Sequence, residues 1–276
     1  MKIKNLALAT AALLGLVGAP ATFACSIAAW NGAPGGTPVA GRPTDATPVA
    51  RYSGQCGLRA AASGSFVTDT TPTAEAAFRA RFYVYTGLTS GQAVVYRARN
   101  AANVDQITVT YNQGTPGNFS FAIPGAAAQT VPANTNAWYS IELNWAAAGT
   151  LSATVRGAGG TTDATASITG GTAGGAIDTA QLGWIAGTGV AGTRAIIADA
   201  YESRRSTAIG RLCRGDANND GTRNSGDQLA VRNEFFGTAL SAGQPDANED
   251  GNVNSADQLV VRNLFFGGQA ACTTGV

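Results

Sequence analysis

An acidic segment of twelve residues occurs twice near the end of the chain, at residues 216–227 and again at residues 246–257. Each copy places oxygen-bearing side chains at its positions 1, 3, 5, 9 and 12 and a glycine at position 6. Calcium is a hard cation that takes six to eight oxygen ligands at about 2.3–2.6 Å, and this spacing wraps a short loop around one ion. Glycine at position 6 permits the sharp turn that such a loop needs. The repeated segment therefore predicts two calcium-binding loops.

Each loop leads into a segment with helical periodicity, at residues 228–237 and 258–267, and each segment ends in glycine. The apolar pairs that share a helix face are Leu229 with Phe236, or Val231 with Phe235, in the first segment and Leu259 with Phe266 in the second. The residues before each loop carry no comparable pattern. Each unit is therefore predicted to be a loop followed by one helix, which differs from the helix–loop–helix of an ordinary EF-hand.

On these motifs, residues 211–270 resemble a type I dockerin, a duplicated calcium-loop module that docks into cohesin domains in polysaccharide-degrading assemblies. The resemblance implies ligation of two calcium ions through positions 1, 3, 5 and 12, with position 9 acting through water, and position 7 would offer its carbonyl oxygen. These residues are Asp216, Asn218, Asp220, Thr222, Asn224 and Asp227 in the first loop and Asp246, Asn248, Asp250, Asn252, Asn254 and Asp257 in the second. Two features depart from the usual pattern. Position 12 is Asp in place of Glu, and Arg223 stands at position 8, where an apolar residue such as Val253 is usual.

The same resemblance implies a surface that faces a cohesin-type partner, at loop positions 10 and 11 and at two positions of the following helix. Carried over, these residues are Ser225, Gly226, Arg232, Asn233, Ser255, Ala256, Arg262 and Asn263. The Arg-Asn pair is the same in both copies, which suggests two binding orientations related by half a turn. The alternative is that duplication alone explains the identity and that both arginines are simply solvated.

The first 24 residues have the form of a secretory signal peptide. Lys2 and Lys4 precede an apolar run at residues 6–17, and Thr-Phe-Ala precedes Cys25. An acylated Cys25 is the alternative, although the residues before it fit a lipobox poorly. No other run approaches the length of a membrane span. The mature protein is therefore expected to be secreted or extracellular, with the periplasm or the cell surface as alternatives.

The charge of the mature chain excludes several classes of function. Without the two signal-peptide lysines, 16 cationic side chains stand against 17 acidic ones, and this balance gives no footprint for nucleic acid or an anionic membrane. The chain contains no histidine, and no lysine remains after cleavage. Imidazole catalysis, histidine metal sites and Schiff-base chemistry are therefore ruled out.

The four cysteines fit disulfides in an oxidising compartment, and three pairings are open. We favour Cys213–Cys272, which would close the ends of the duplicated module. We also favour Cys25–Cys56, which would tie the new N-terminus to the first strand. A disulfide that closes about sixty residues contributes up to roughly 4 kcal/mol by the loop-entropy relation.

Residues 26–50 are rich in Gly, Pro, Ala and Thr and are predicted to form a leader loop. From Cys56 onward, short alternating segments are separated by small polar turns, and the clearest are residues 78–85 and 138–145. Further candidate strands are residues 57–62, 65–70, 92–99, 106–111, 119–123, 151–156, 179–185 and 194–201. About ten to twelve strands without a long helical segment predict a mainly β fold, a two-sheet antiparallel sandwich.

The strand region resembles a laminin-G-like or concanavalin-like jelly roll. The segments that carry this resemblance are FRARFYVYT, WYSIELNW and AIIADAYESRR. The expected organisation is a signal peptide at residues 1–24, a jelly-roll sandwich at 25–207 that is ordered from about residue 50, and the dockerin-like module at 208–276. The link between the two modules is short, so we expect them to be close neighbours.

Catalysis is not expected from these residues. A glycoside hydrolase needs two carboxylates on either side of one bond, about 5–5.5 Å or about 6.5–9.5 Å apart, whereas the acids of the strand region are scattered singly. Sugar-binding sandwiches offer exposed aromatic rings, and Trp138, on the polar face of its strand, is the best candidate for a glycan contact. The alternative for Trp138, as for the other aromatic residues of the strand region, is packing in the core or on a sheet face.

The sequence thus favours a secreted, non-catalytic protein with two modules. The sandwich would recognise a polysaccharide or a surface glycan, and the dockerin-like module would bind two calcium ions and dock to a cohesin-type partner. Two alternatives remain, a glycoside hydrolase or accessory enzyme of polysaccharide catabolism and a structural protein of the extracellular matrix or cell surface.

Overall fold

A computed structural model of the chain describes Trp30 and residues 37–40, 51–157, 163–269 and 271–272. The elements are β1 (Thr37–Ala40), β2 (Cys56–Ala60), β3 (Ser65–Asp69), β4 (Ala77–Ser90), β5 (Gln92–Arg99), β6 (Asp105–Asn112), β7 (Gly117–Ala122), β8 (Gln129–Ala133), β9 (Trp138–Ala146), β10 (Thr150–Gly157), β11 (Ala164–Ile168), β12 (Thr179–Ala186), β13 (Val190–Arg204), α1 (Ser225–Phe235) and α2 (Ser255–Phe266). The predicted signal peptide and Cys25 lie outside the described residues. Among the described residues, no helix is both long and apolar enough to cross a membrane.

The strands form two antiparallel sheets. One has the order β1-β2-β13-β4-β9-β10-β11 and the other the order β3-β12-β5-β6-β7-β8. The predicted fold class is confirmed, because a mainly β sandwich precedes two C-terminal helices.

The inward-facing apolar side chains of β4 and β9 form the centre of the sandwich core. The two strands are antiparallel neighbours, with Phe78 opposite Trp145 and Phe82 opposite Ile141. All four side chains are buried in the main core between the sheets. Because successive side chains of a strand point to opposite faces, this register places the polar and aromatic alternates of both strands on the outer face of the seven-stranded sheet.

Three strands were not predicted, and all three lie at sheet edges. β1 falls in the segment that was predicted to be a leader loop, β8 contains Pro132, and β11 consists mostly of small residues. In the described part of the chain, β1 pairs with β2, β8 with β7 and β11 with β10. An edge strand needs only one partner and tolerates proline, so it shows little of the apolar alternation on which sequence prediction depends.

The outer face of the seven-stranded sheet is covered by the C-terminal module. A second apolar cluster forms on this face. Its members are Tyr52, Tyr83, Tyr85, Trp138 and Ile197, with Leu212 of the module packed against them. The backbone N–H groups of Ile209 and Gly210 donate to the Glu142 carboxylate at 2.8 and 3.0 Å. The short link therefore runs along the sheet.

The two helices of the C-terminal module pack on each other around a small apolar core. Its buried residues are Ala217, Val231, Ala247, Val253 and Val261. Val231 and Val261 are equivalent positions of the two units, so the duplication produces an approximately symmetric pair. The predicted Leu229–Phe236 face is not the buried one. These two side chains are 51% and 67% exposed.

Candidate calcium-binding and docking site

The carboxylates at positions 1 and 12 fold the first loop around itself. Asp216 accepts the backbone N–H groups of Asp220 and Gly221 at 3.1 and 3.0 Å, one on each oxygen. Asp227 accepts the N–H of Asn218 at 3.1 Å. These bonds turn the acidic side chains into the loop, where the sequence places calcium ligands.

The second loop repeats this arrangement. Asp246 accepts the N–H groups of Asp250 and Gly251 at 3.1 and 2.8 Å, and Asp257 accepts that of Asn248 at 3.0 Å. The glycine at position 6 has φ +83° in the first loop and +88° in the second, a conformation that strains any other residue. The two loops are therefore equivalent in backbone geometry.

The position 9 asparagines serve as helix N-caps. Asn224 accepts the N–H of Gly226, and Asn254 accepts that of Ala256. In both helices the aspartate at position 12 bonds back to the N–H of the cap residue, which completes a capping box. The start of each helix thus fixes positions 9 and 12, two of the positions predicted to take part in calcium binding.

The chemistry of the loops fits a hard cation. Carboxylate oxygens of Asp216, Asp220 and Asp227 lie within 4.8 Å of one another. Burial raises the pKa of Asp246, helped by the nearby Asp257 and Asp250 carboxylates, and burial raises the pKa of Asp257 to about 6. Partly buried like charges repel, and a divalent cation with oxygen ligands relieves this cost. The predicted residues would therefore hold calcium through an all-oxygen donor set.

The arginine at position 8 of the first loop holds the loop to the C-terminal segment through hydrogen bonds. Arg223 donates through Nε to the carbonyl oxygen of Arg214 and through Nη1 to that of Gln269 at 2.6 Å. Cys213 and Cys272 form a disulfide, and the N–H of Cys272 donates to Gly221 of the loop at 3.2 Å. In the second loop the equivalent Val253 packs in the small core. Cys56 is also disulfide-bonded, and its predicted partner Cys25 lies outside the described residues.

The predicted partner-facing residues lie on or beside an exposed stripe of each helix. Ser225, Arg232, Ser255, Ala256, Arg262 and Asn263 are exposed, and Gly226 and Asn233 are half-buried. The stripes, which we call the docking stripes, also contain leucine and phenylalanine. Their members are Ser225, Leu229, Arg232 and the C-cap residue Phe236 along α1, and Ser255, Leu259, Arg262 and Phe266 along α2. The guanidinium of each arginine lies 5.9 Å from the centre of its phenylalanine ring.

The sequence analysis placed the leucine and phenylalanine of each helix on a shared face but did not assign them to the partner-facing surface. The signal that could have located them is the four-residue step from Ser225 to Leu229, since residues i and i+4 share a helix face.

Trp138 is not available to a ligand. Its side chain is 1% exposed, and the rings of Tyr52 and Tyr85 lie edge-on to it with centroids 5.5 and 5.6 Å away. The expectation that Trp138 is exposed was wrong, because Tyr52 packs against it on the outer face of the sheet. A buried indole ring offers no face on which a sugar could stack.

Comparison with known proteins identifies the C-terminal module. Residues 214–266 match the family model described as the Dockerin type I domain, which confirms the resemblance inferred from the sequence. Dockerin type I domains bind calcium, dockerin domains bind cohesins, and proteins that carry them are typically extracellular. No curated protein matches the chain.

Comparison with solved structures gave partial matches to the strand region of other proteins. They include the enzymatically active domain of tailspike protein 2 from bacteriophage CBA120, at 9% identity and TM-score 0.44, covering 65% of this chain and 29% of that one. The receptor-binding domain of botulinum neurotoxin C/D mosaic serotype gives 8% and 0.39, with coverage of 56% and 40%. A Trypanosoma rangeli sialidase gives 14% and 0.39, with coverage of 56% and 27%. The chain thus spans less than half the length of each.

Proposed function

We propose that this protein is a secreted, non-catalytic recognition protein of polysaccharide metabolism that docks, loaded with two calcium ions, to a cohesin-type partner. The observation that carries the proposal is the pair of equivalent acidic loops, each followed by a helix that exposes the same docking stripe. The sandwich serves as the recognition module, for a polysaccharide or a surface glycan.

The docking stripes have the composition of a protein-binding surface. Leu259 and Phe266 are 52% and 73% exposed, and their counterparts Leu229 and Phe236 are 51% and 67% exposed. Exposed apolar side chains grouped with arginine mark sites of protein association, because burial of their area drives binding and the guanidinium adds directional bonds. The partner surface should therefore combine an apolar patch with carboxylates that receive Arg232 or Arg262.

Calcium supports this surface indirectly. Each stripe begins at the residue that follows the position 9 asparagine, so the loop fixes where the helix starts. A loop filled with unneutralised carboxylates is costly to close, which couples ion binding to the order of the module. If each site binds calcium with free ion at 100 times its Kd, each contributes about 2.7 kcal/mol to folding. Addition of a chelator should lower the melting temperature of the module, and an unchanged melt would contradict calcium-coupled folding.

The docking proposal is tested with a panel of type I cohesin domains in calcium and in EDTA. Binding that requires calcium supports it, and the Arg232→Asp and Arg262→Asp variants then divide the roles of the stripes. Retained binding in each single variant with loss in the double variant indicates interchangeable orientations. Loss from either single change contradicts interchangeability. No binding to any cohesin by a folded, calcium-loaded protein would overturn the docking proposal.

The outer face of the six-stranded sheet is the surface we propose for glycan recognition. Thr68, Gln181, Arg97 and Thr108 follow one another across four strands, and all are half-buried. Arg97 donates to the Gln181 side-chain oxygen through Nε and Nη2 at 3.1 and 2.8 Å. Such a row of amide, guanidinium and hydroxyl groups suits sugar hydroxyls. A glycan array with wild type and Arg97→Ala tests it, and an array without hits would favour a structural role for the sandwich.

A further inference from the structure

The two calcium loops differ at position 4. Asn219 and Glu249 both adopt a left-handed backbone conformation, with φ +62° and +60°. Asparagine tolerates this conformation better than glutamate, so Glu249 holds its place at a cost. Asn219 is exposed, whereas Glu249 is 1% exposed. Contacts outside the loop must therefore stabilise this position of the second loop.

Those contacts come from the sandwich and the linker. The Tyr52 hydroxyl donates to Oε1 of Glu249, and Arg211 donates to the same oxygen at 3.1 Å. Burial and the adjacent Glu249 carboxylate raise the pKa of Tyr52 well above its usual value, which keeps the hydroxyl protonated as a donor. The Tyr52 ring stacks on Tyr83 of β4 at 3.8 Å between centroids, and its N–H donates to Asp199 of β13 at 2.6 Å. Tyr52 is thus fixed to the sheet before it reaches the loop.

A second contact holds the chain that leads into the second loop. Nη2 of Arg51 donates to both carboxylate oxygens of Glu234 on α1 at 2.8 Å, with both side chains buried. Glu234 in turn accepts the N–H of Ser241 at 2.7 Å. The N–H of Gly54 donates to the Gly243 carbonyl at 3.0 Å, three residues before the loop.

We infer that Arg51 and Tyr52 of the sandwich are positioning residues of the second calcium site. They hold the second loop in its folded geometry before calcium binds, so calcium binding incurs less of the conformational-entropy cost of ordering the loop. These contacts therefore raise the calcium affinity of the second site, and calcium binding there is coupled to the attachment of the module. Coupling is reciprocal, so calcium in the second loop strengthens the attachment. This inference rests on the proposed calcium-binding function.

The test measures each site alone in the mature full-length chain. Asp220→Ala disables the first loop and Asp250→Ala the second, because both remove the position 5 carboxylate. Tyr52→Phe is added to each background, and calcium is titrated against a chromophoric chelator. Loss of the hydroxyl bond to a buried carboxylate is expected to weaken the second site about tenfold and to change the first less than twofold. Tyr111→Phe, which removes a hydroxyl in the sandwich core, serves as the matched control.

A purely structural role for Tyr52 predicts another result. Equal weakening of both sites, or an unchanged second site, would overturn the inference. Because Tyr52→Phe could reduce folding, amide exchange of the wild type gives an independent readout. Chelation should speed exchange at Gly54, which bonds to the module, and leave the Tyr52 amide, which bonds to Asp199, protected. Equal protection of Gly54 with and without calcium would contradict the coupling.

The wild-type titration separates this inference from the proposed function. A wild type that binds no calcium would overturn the proposed function and this inference with it. Two bound ions without an effect of Tyr52→Phe would overturn the inference alone.

Discussion

The two units of the C-terminal module share one local structure and have different neighbours. In the first unit, Arg223 and the Cys213–Cys272 disulfide tie the loop to the C-terminal segment. In the second, Glu249 ties the loop to the sandwich. The ligand positions hardly differ between the copies, so duplication preserves the site. A few substitutions outside the ligand set decide what each copy is attached to.

The helices differ in the opposite sense, because it is the helix of the first unit that is attached to the sandwich. Glu234 of α1 is buried against Arg51, and its counterpart Leu264 in α2 is half-buried. The docking stripes, in contrast, consist of the same four residue types in both copies. The module therefore exposes two similar docking stripes, although its two units are attached to different parts of the chain.

The largest expected effect comes from making the first helix resemble the second. Glu234→Leu leaves the buried Arg51 without its partner, which is expected to lower the free energy of unfolding by about 3–5 kcal/mol. Urea denaturation in saturating calcium measures it. The double variant Arg51→Leu/Glu234→Leu removes both charges and is expected to recover most of the loss. Equal destabilisation in the single and double variants would show that the charge pair is not the cause.

The local parts of this comparison could be predicted from the sequence. Ligands, glycine and helix starts lie within twelve residues of one another, so their spacing alone identifies the loops. Alternation in β4 and β9 likewise predicted the core, because these central strands bury one apolar face against the opposite sheet. Both signals depend on residues that are close in sequence.

The attachments could not be predicted, because their partners are far apart in the chain. Tyr52 and Glu249 are separated by 197 residues, and nothing in either local pattern indicates the other. The burial of Trp138 could not be predicted for the same reason. Its position on the polar face of β9 was predicted correctly, but Tyr52, which is distant in the chain, packs against it there. Edge strands such as β8 were missed for a related reason, since their pairing depends on the neighbouring strand more than on their own residues.

Loss of the disulfide should act on the first unit. Cys213→Ser/Cys272→Ser opens a link that spans 59 residues and is expected to cost up to about 4 kcal/mol of module stability by the loop-entropy relation. Calcium affinity should fall more at the first site than at the second, because the C-terminal segment contacts the first loop. Differential scanning calorimetry with site-resolved titration measures both. A larger loss at the second site would reverse the assignment of anchors.

Asp199 accepts the N–H of Tyr52, which attaches the second unit to the sandwich, and it should make the free energy of unfolding depend on pH. Burial raises the pKa of this carboxyl to about 6 from 3.8. A raised folded-state pKa favours the protonated form, so its contribution to stability is full below about pH 4 and is lost as the pH rises through about 6. At 1.36 kcal/mol per pKa unit, the difference amounts to at most about 3 kcal/mol. Asp199→Asn should flatten the stability profile between pH 4 and 7. A slope identical to wild type would contradict this role of Asp199.

The smallest expected effect is Arg223→Val, which gives the first loop the position 8 residue of the second. The variant loses the bonds to the Arg214 and Gln269 carbonyls, which are partly exposed to solvent, so a cost of about 1 kcal/mol is expected. Amide exchange should rise at Gln269, Ala271 and Cys272, while the second loop should be unaffected because it makes none of these bonds. Arg232→Val, an exposed arginine on a docking stripe, is the matched control. If both variants change exchange equally, Arg223 would not be the residue that holds the C-terminal segment to the first loop.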